Sequence, residues 1–148
     1  MSRITKILVA TDFSPHSAAA MRAASELSGR LGVPLIVFNA VQLPTYPLPE
    51  GVMMRSPDVM TELVTRAREA LDDQRHAAIA LGAHAVDTQW AEGPPAAEIV
   101  RVARELSADL IVVGSHGRGV VARAILGSTA DKVVRTAHQP VLVVPHDH

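Results

Sequence analysis

Short aliphatic runs alternate along this chain with longer stretches whose apolar positions recur every third or fourth residue. Ile7-Leu8-Val9-Ala10, inside Ile4–Thr11, is the first run, and Leu35–Val41, Leu110–Val113 and Val141–Val144 are of the same kind. A strand whose successive residues are all apolar is covered on both faces. Val86–Ala91 is less apolar and predicts a strand near the edge of the sheet. Between the runs, Ala20, Ala23, Ala24, Leu27 and Leu31 share one face of a helix that starts at Ser14-Pro15, with serine as N-cap and proline at the first helical position, and ends before Gly32. Ser56-Pro57 repeats the start signal. The helix after it carries Met60, Leu63, Val64, Ala67, Leu71, Ala78 and Leu81 inward and stops at Gly82. Gly93-Pro94-Pro95 opens a third helix, with Ile99, Val100, Ala103 and Leu106 on one face, and a short fourth runs from near Ser128 to near His138. The stretch with Pro44, Pro47, Pro49 and Gly51 predicts a loop.

This alternation predicts an α/β domain of three layers, a five-stranded parallel sheet with helices on both faces and right-handed crossovers. Its 148 residues suit a single domain spanning 1–148 with a core over 4–145, and no internal repeat is apparent. With 48% hydrophobic but only 3% aromatic residues, the core must be aliphatic. The net charge of −1, with scattered Lys and Arg, argues against nucleic acid as the main partner. No apolar run is long enough to span a membrane and none reads as a signal peptide, so the expected location is the cytoplasm. The absence of cysteine excludes disulfides, zinc–thiolate sites and thiol catalysis.

Ligands of open parallel sheets bind beyond the C-terminal strand ends. Two of those ends are unusual: Ala10-Thr11-Asp12, and Gly114-Ser115-His116-Gly117-Arg118-Gly119, which continues to Gly127-Ser128-Thr129. Glycines let backbone N–H groups approach a phosphate, and a helix start adds free N–H groups and hydroxyls. The same residues have a ligand-free explanation, in which Ser128 and Asp131 form a capping box and Gly127 shapes a turn. The Walker pattern is absent. Gly117 to Ala122 fits G-x-G-x-x-[GA], but too little chain follows for a second βαβ half.

Gly114-x2-Gly117-x9-Gly127-Ser128 resembles, at every fixed position, the ATP-binding signature of the universal stress proteins. The flanks Ala108–Val113 and Gln139–Val144 and the opening Lys6–Ser14 are similar too, so the resemblance runs from about residue 4 to 144 and is weakest through the Pro-rich loop. It implies a Rossmann-like, adenine nucleotide alpha hydrolase-like sheet of order 3-2-1-4-5 and a role as a nucleotide-dependent stress-response or signalling module. ATP would be the ligand, with Mg²⁺ as a companion. The resemblance places Ala10, Thr11 and Asp12 at the nucleotide, the aspartate against the ribose and phosphates, where it can accept from a hydroxyl or help hold Mg²⁺. Capping the following helix is the alternative for Asp12. Ala40 would meet adenine through backbone groups, where many relatives carry the larger Val. Val113, Gly114, His116 and Gly117 would line the phosphates, and Gly127, Ser128 and Thr129 would grip the outer ones. Changing Gly127 to Val is expected to abolish binding and leave folding mostly intact.

Other residues carry less. Arg118 and Arg123 suit either a phosphate or solvent. The seven histidines show no metal-ligand spacing beyond His146-x-His148; His16 and His138 lie at helix ends, and Trp90 suits packing or an interface. Ser115 and Ser128 lack a nucleophile-elbow pattern. The acids and lysine of a response-regulator receiver are missing from the strand ends. No Gln or Lys is clearly placed to orient water or cap a γ-phosphate, so the loop is a holder more than a hydrolase, with a slow ATPase or phosphotransfer enzyme as the alternative. The last strand, Val141, Leu142, Val143 and Val144, lies at a sheet edge in that order and has no blocking charge. It invites antiparallel pairing with a second copy, as in the family, unless the tail folds over it.

Overall fold

The computed structural model describes residues 3–42, 46–47, 53–54, 57–116 and 126–146. In chain order the elements are β1 (Ile7–Ala10), α1 (Pro15–Leu31), β2 (Leu35–Val41), β3 (Tyr46–Pro47), β4 (Met53–Met54), α2 (Pro57–Ala80), β5 (Val86–Glu92), α3 (Pro95–Glu105), β6 (Leu110–Gly114), α4 (Ser128–Thr136) and β7 (Val141–Val144). Five strands form one sheet ordered β5-β2-β1-β6-β7 with every pair parallel. Counting only these strands, the order is third, second, first, fourth, fifth, as expected. Tyr46–Pro47 pairs antiparallel with Met53–Met54 inside the stretch whose prolines predict a loop, so part of that stretch is a small ribbon.

Strand side chains alternate between faces, and both faces are covered. Ile7, Val9, Leu35, Val37, Leu110 and Val112 pack with Ala20, Ala24, Leu71 and Ala78 of α1 and α2. Leu8, Ile36, Phe38, Ile111 and Val113 pack with Ile99, Val102, Ala103, Ala130 and Val133 of α3 and α4. That two-sided burial explains why the central strands tolerate no polar alternation. Each fully buried aliphatic side chain contributes about 1.5–3 kcal/mol relative to exposure.

α1 packs through small residues. Ser17, Ala20, Ala24, Ser25 and Ser28 are buried, whereas Leu31, expected inward, is 49% exposed. Backbone closes this last turn instead: a β-carbon on Gly29 would lie 2.3 Å from the Gly82 carbonyl oxygen. The Ser28 hydroxyl donates to Val33 O (2.7 Å) and accepts from His84 N–H (3.0 Å), joining α1 to the entries of β2 and β5. Leu81 is likewise 49% exposed, because α2 ends at Ala80 and its periodicity stops there. No helix among the described residues is long and apolar enough to cross a membrane.

Candidate functional site

β1 sits between β2 and β6, so the chain leaves in different directions at neighbouring strand ends. Beyond those ends lies a cleft of about 1190 Å³, closed on one side by the start of α4 and on another by α2. Ala10, Thr11, Asp12, Ala40, Val113, Gly114, His116, Gly127, Ser128 and Thr129 all line it. Gly117 lies outside the described residues, as do Arg118 and Arg123.

The Thr11 peptide is held by β2 on both sides: its N–H donates to Phe38 O (2.9 Å), and its carbonyl accepts from Asn39 Nδ2 (2.8 Å). Its hydroxyl shares a hydrogen bond with Ser17 (2.9 Å) and accepts from Phe13 N–H (3.0 Å). Phe13 then adopts φ +65°, a left-handed conformation unfavourable for an aromatic residue, and turns the chain into α1. Asp12 Oδ1 accepts from the backbone N–H (2.9 Å) and hydroxyl (2.5 Å) of Ser14. Ser14 holds the N-cap position with extended backbone but makes no side-chain cap bond; its hydroxyl serves Asp12 instead. The capping alternative for Asp12 thus exists in part, and it fixes the carboxylate at the cleft.

The glycine-rich segment leaves and returns at one point. Ser115 N–H donates to Val144 O (2.9 Å), and Gly127 N–H donates to Ser115 O (2.8 Å). A β-carbon on Gly114 would meet the His16 carbonyl oxygen at 3.1 Å, and one on Gly127 would meet the Ser115 carbonyl oxygen at 2.9 Å. Neither glycine is called for by a positive φ; both are called for by backbone meeting backbone. The α4 N-cap is Gly127, with no side-chain cap, so the Ser128–Asp131 capping box does not form; Asp131 instead pairs with Arg135 (3.1 Å). The Ser115 hydroxyl bonds with His116 Nδ1 (3.0 Å).

The cleft has two chemical halves. Toward β6 and α4 it offers glycine backbone, two hydroxyl residues and a helix start with partial positive charge. Toward β2 and α2 it is walled by Ala40, Val41, Leu63, Ala67 and Ala70, with Asn39, Gln42 and Arg66 as polar members. Arg66 is paired with Glu62 (2.6 Å). Helical spacing predicts Leu63 and Ala67 as core residues, yet both line the cleft, together with Asn39 and Arg66. The signal for Asn39 was present: an amide inside an otherwise apolar strand. The group with a lowered pKa, Asp109, lies at the start of β6, where it accepts from the Thr5 hydroxyl (2.6 Å) and backbone N–H (2.7 Å).

Residues 3–145 match the family model described as Universal stress protein family. The chain is 36% identical over 142 residues to a universal stress protein of Methanocaldococcus jannaschii, covering 94% of this chain and 81% of that one. Among solved structures, it superposes with TM-score 0.74 and 26% identity on a universal stress protein in complex with cAMP, covering 99% of this chain and all of the other. A universal stress protein of Archaeoglobus fulgidus in complex with dAMP gives TM-score 0.69 and 27% identity, over 95% of this chain and 97% of that one.

Proposed function

The chain belongs to the universal stress protein family, and on that premise we propose that it binds an adenine nucleotide, ATP foremost, and acts as a nucleotide-dependent stress-response or signalling module in the cytoplasm. The observation that carries this is the division of the cleft. A wall of small aliphatic residues at the end of β2 suits a flat base, and glycine backbone with Ser128 and Thr129 at the start of α4 suits a polyanion. Asp12, at the end of β1 between them, suits the ribose. The cAMP and dAMP complexes of related proteins support the adenine assignment.

Among the described residues no three acidic or histidine side chains gather as a metal cage. Mg²⁺ would arrive with the phosphates, since this ion is commonly held by one or two carboxylates together with phosphate oxygens. Asp12 is the residue that would take it, and Mg²⁺ there would neutralise phosphate charge. The chain's own residues bind and orient: Ser14 holds Asp12 through two hydrogen bonds, and the Ser115–Gly127 bond closes the phosphate half.

The last strand supplies the proposed dimer contact. β7 is a sheet edge, Leu142 is 37% exposed, and Val134 on neighbouring α4 is 48% exposed. Val141, Leu142, Val143 and Val144 would pair with the same strand of a second copy.

Titration with a fluorescent ATP analogue, with and without Mg²⁺, tests the assignment. Saturable binding that weakens about tenfold or more in Asp12→Asn and Ser128→Ala is expected, each losing a polar contact to a charged ligand. Absence of binding by the parent protein contradicts it.

A further inference from the structure

We propose that Asp131 selects the charge of the bound nucleotide: its carboxylate, in the first turn of α4, opposes metal-free triphosphate and favours ATP carried as its Mg²⁺ complex. This rests on the nucleotide assignment above and adds a group that regulates the phosphate half.

α4 begins at the cleft, and Gly127, Ser128, Thr129, Ala130 and Asp131 all line it. The Asp131 N–H donates to Gly127 O (2.9 Å), so the helix starts its own ladder there and the N–H groups of residues 128–130 precede it without an intrahelical acceptor. Those groups and the dipole are what suit this end to a polyanion. Asp131 is the acid of that first turn, and its side chain is 41% exposed. No capping bond absorbs it, since the N-cap is Gly127. Its partner is Arg135 (3.1 Å), an exposed residue outside the cleft lining, and an exposed pair of this kind neutralises little. A carboxylate in the first turn complements the helix dipole. In the free protein Asp131 therefore serves the same positive end that a phosphate would use. A helix start that already has its own anion attracts a second one less.

The balance of charge along the cleft gives this its consequence. Among the described lining residues the acids are Asp12 and Asp131, and the one lysine or arginine is Arg66. Arg66 stands on α2, in the apolar half, and is paired with Glu62 (2.6 Å). Main-chain N–H groups and hydroxyls bind phosphate oxygens without cancelling their charge. Each further phosphoryl group therefore brings negative charge toward carboxylates that are themselves half-buried, where repulsion is screened less than in water. Mg²⁺ on the phosphates takes back much of that charge. Asp131 thus costs metal-free ATP the most, and costs AMP or the Mg²⁺ complex of ATP much less.

The test measures affinities by calorimetry for ATP with chelator, ATP with excess Mg²⁺, and AMP. Two variants change the local charge in opposite senses. Asp131→Asn is expected to bind metal-free ATP about tenfold more tightly than the parent, with AMP and the Mg²⁺ complex changed less than about threefold. Arg135→Ala strips the carboxylate of its partner and should weaken metal-free ATP by about threefold. Added salt should narrow both gaps, because these charges are partly exposed. Glu105→Gln removes the same charge from α3, outside the cleft lining, and should change none of the three affinities. An Asp131→Asn that leaves metal-free ATP binding unchanged, or tightens all three ligands alike, overturns the role of Asp131 and leaves the nucleotide cleft standing. So does a Glu105→Gln that matches it. A parent that binds no nucleotide overturns both. Should Asp131→Asn fail to fold, Arg135→Ala decides: weakened binding of metal-free ATP alone supports the proposal, and unchanged or tighter binding overturns it.

Discussion

Gly127 and Ser115 meet backbone to backbone: the Gly127 N–H donates to the Ser115 carbonyl at 2.8 Å, and a β-carbon on Gly127 would come within 2.9 Å of that same oxygen. The glycine therefore closes the base of the loop, whatever ligand the loop holds. A larger residue here is therefore expected to cost some stability in addition to binding. Gly127→Ala should lower stability by about 1–3 kcal/mol, since the obstacle is main chain that cannot rotate away. Thermal unfolding checks it; an unchanged midpoint would mean that the closure is looser than this geometry.

Ser28 makes a prediction free of any ligand. Fully buried, it links α1 to the start of β2 and to the turn before β5 through one donated and one accepted bond. Ser28→Ala leaves the His84 N–H and the Val33 carbonyl short of a partner, at a cost of about 1–3 kcal/mol. Urea unfolding should show a lowered midpoint with an unchanged slope. Gly29→Ala should cost more, because its β-carbon would fall 2.3 Å from Gly82 O.

Asp109 ties β6 to the residues before β1. Hydrogen bonds from Thr5 favour its charged form and hold its pKa below the usual 3.8. A depressed folded pKa stabilises the protein above the unfolded value, and this contribution is lost as pH falls through the folded value. The group is partly exposed, so solvent screens the effect. Asp109→Asn should lower the melting temperature by roughly 1–3 °C at pH 7. At pH 3 the difference from the parent should shrink; a difference that grows toward acid would contradict the assigned sign.

β7 offers an apolar edge, and Leu142→Lys places a charge on it. Sedimentation should show the parent as a dimer and the variant shifted toward monomer, with nucleotide affinity retained. A monomeric parent removes the dimer from the account without touching the cleft.

The sheet was legible because its chemistry is two-sided. Runs such as Ile7–Ala10 and Leu110–Val113 cannot pair with water on either face, and helices must lie above and below them. The spacing of Gly114, Gly127 and Ser128 likewise pointed to the strand ends that enclose the cleft. Interactions requiring a partner distant in sequence were not legible. Ser28 looks like a surface serine until His84 and Val33 arrive beside it. Leu31 fits the α1 stripe, but Gly29 and Gly82 close the turn and leave it exposed. Ser128 resembles a cap, yet Gly127 holds that position with extended backbone. The β3–β4 ribbon lies in a proline-rich stretch with no alternating pattern to reveal it.

The claim on which the account depends is that one cleft, spanning the ends of β1, β2 and β6 and the start of α4, holds an adenine nucleotide. Backbone amide spectra recorded during titration with ATP and Mg²⁺ test it most directly. Saturable shifts are expected at Asp12, Ala40, Gly114, Gly127, Ser128 and Thr129, with the outer faces of α1 and α3 unmoved. Shifts confined to other surfaces, or none at saturating nucleotide, would contradict it.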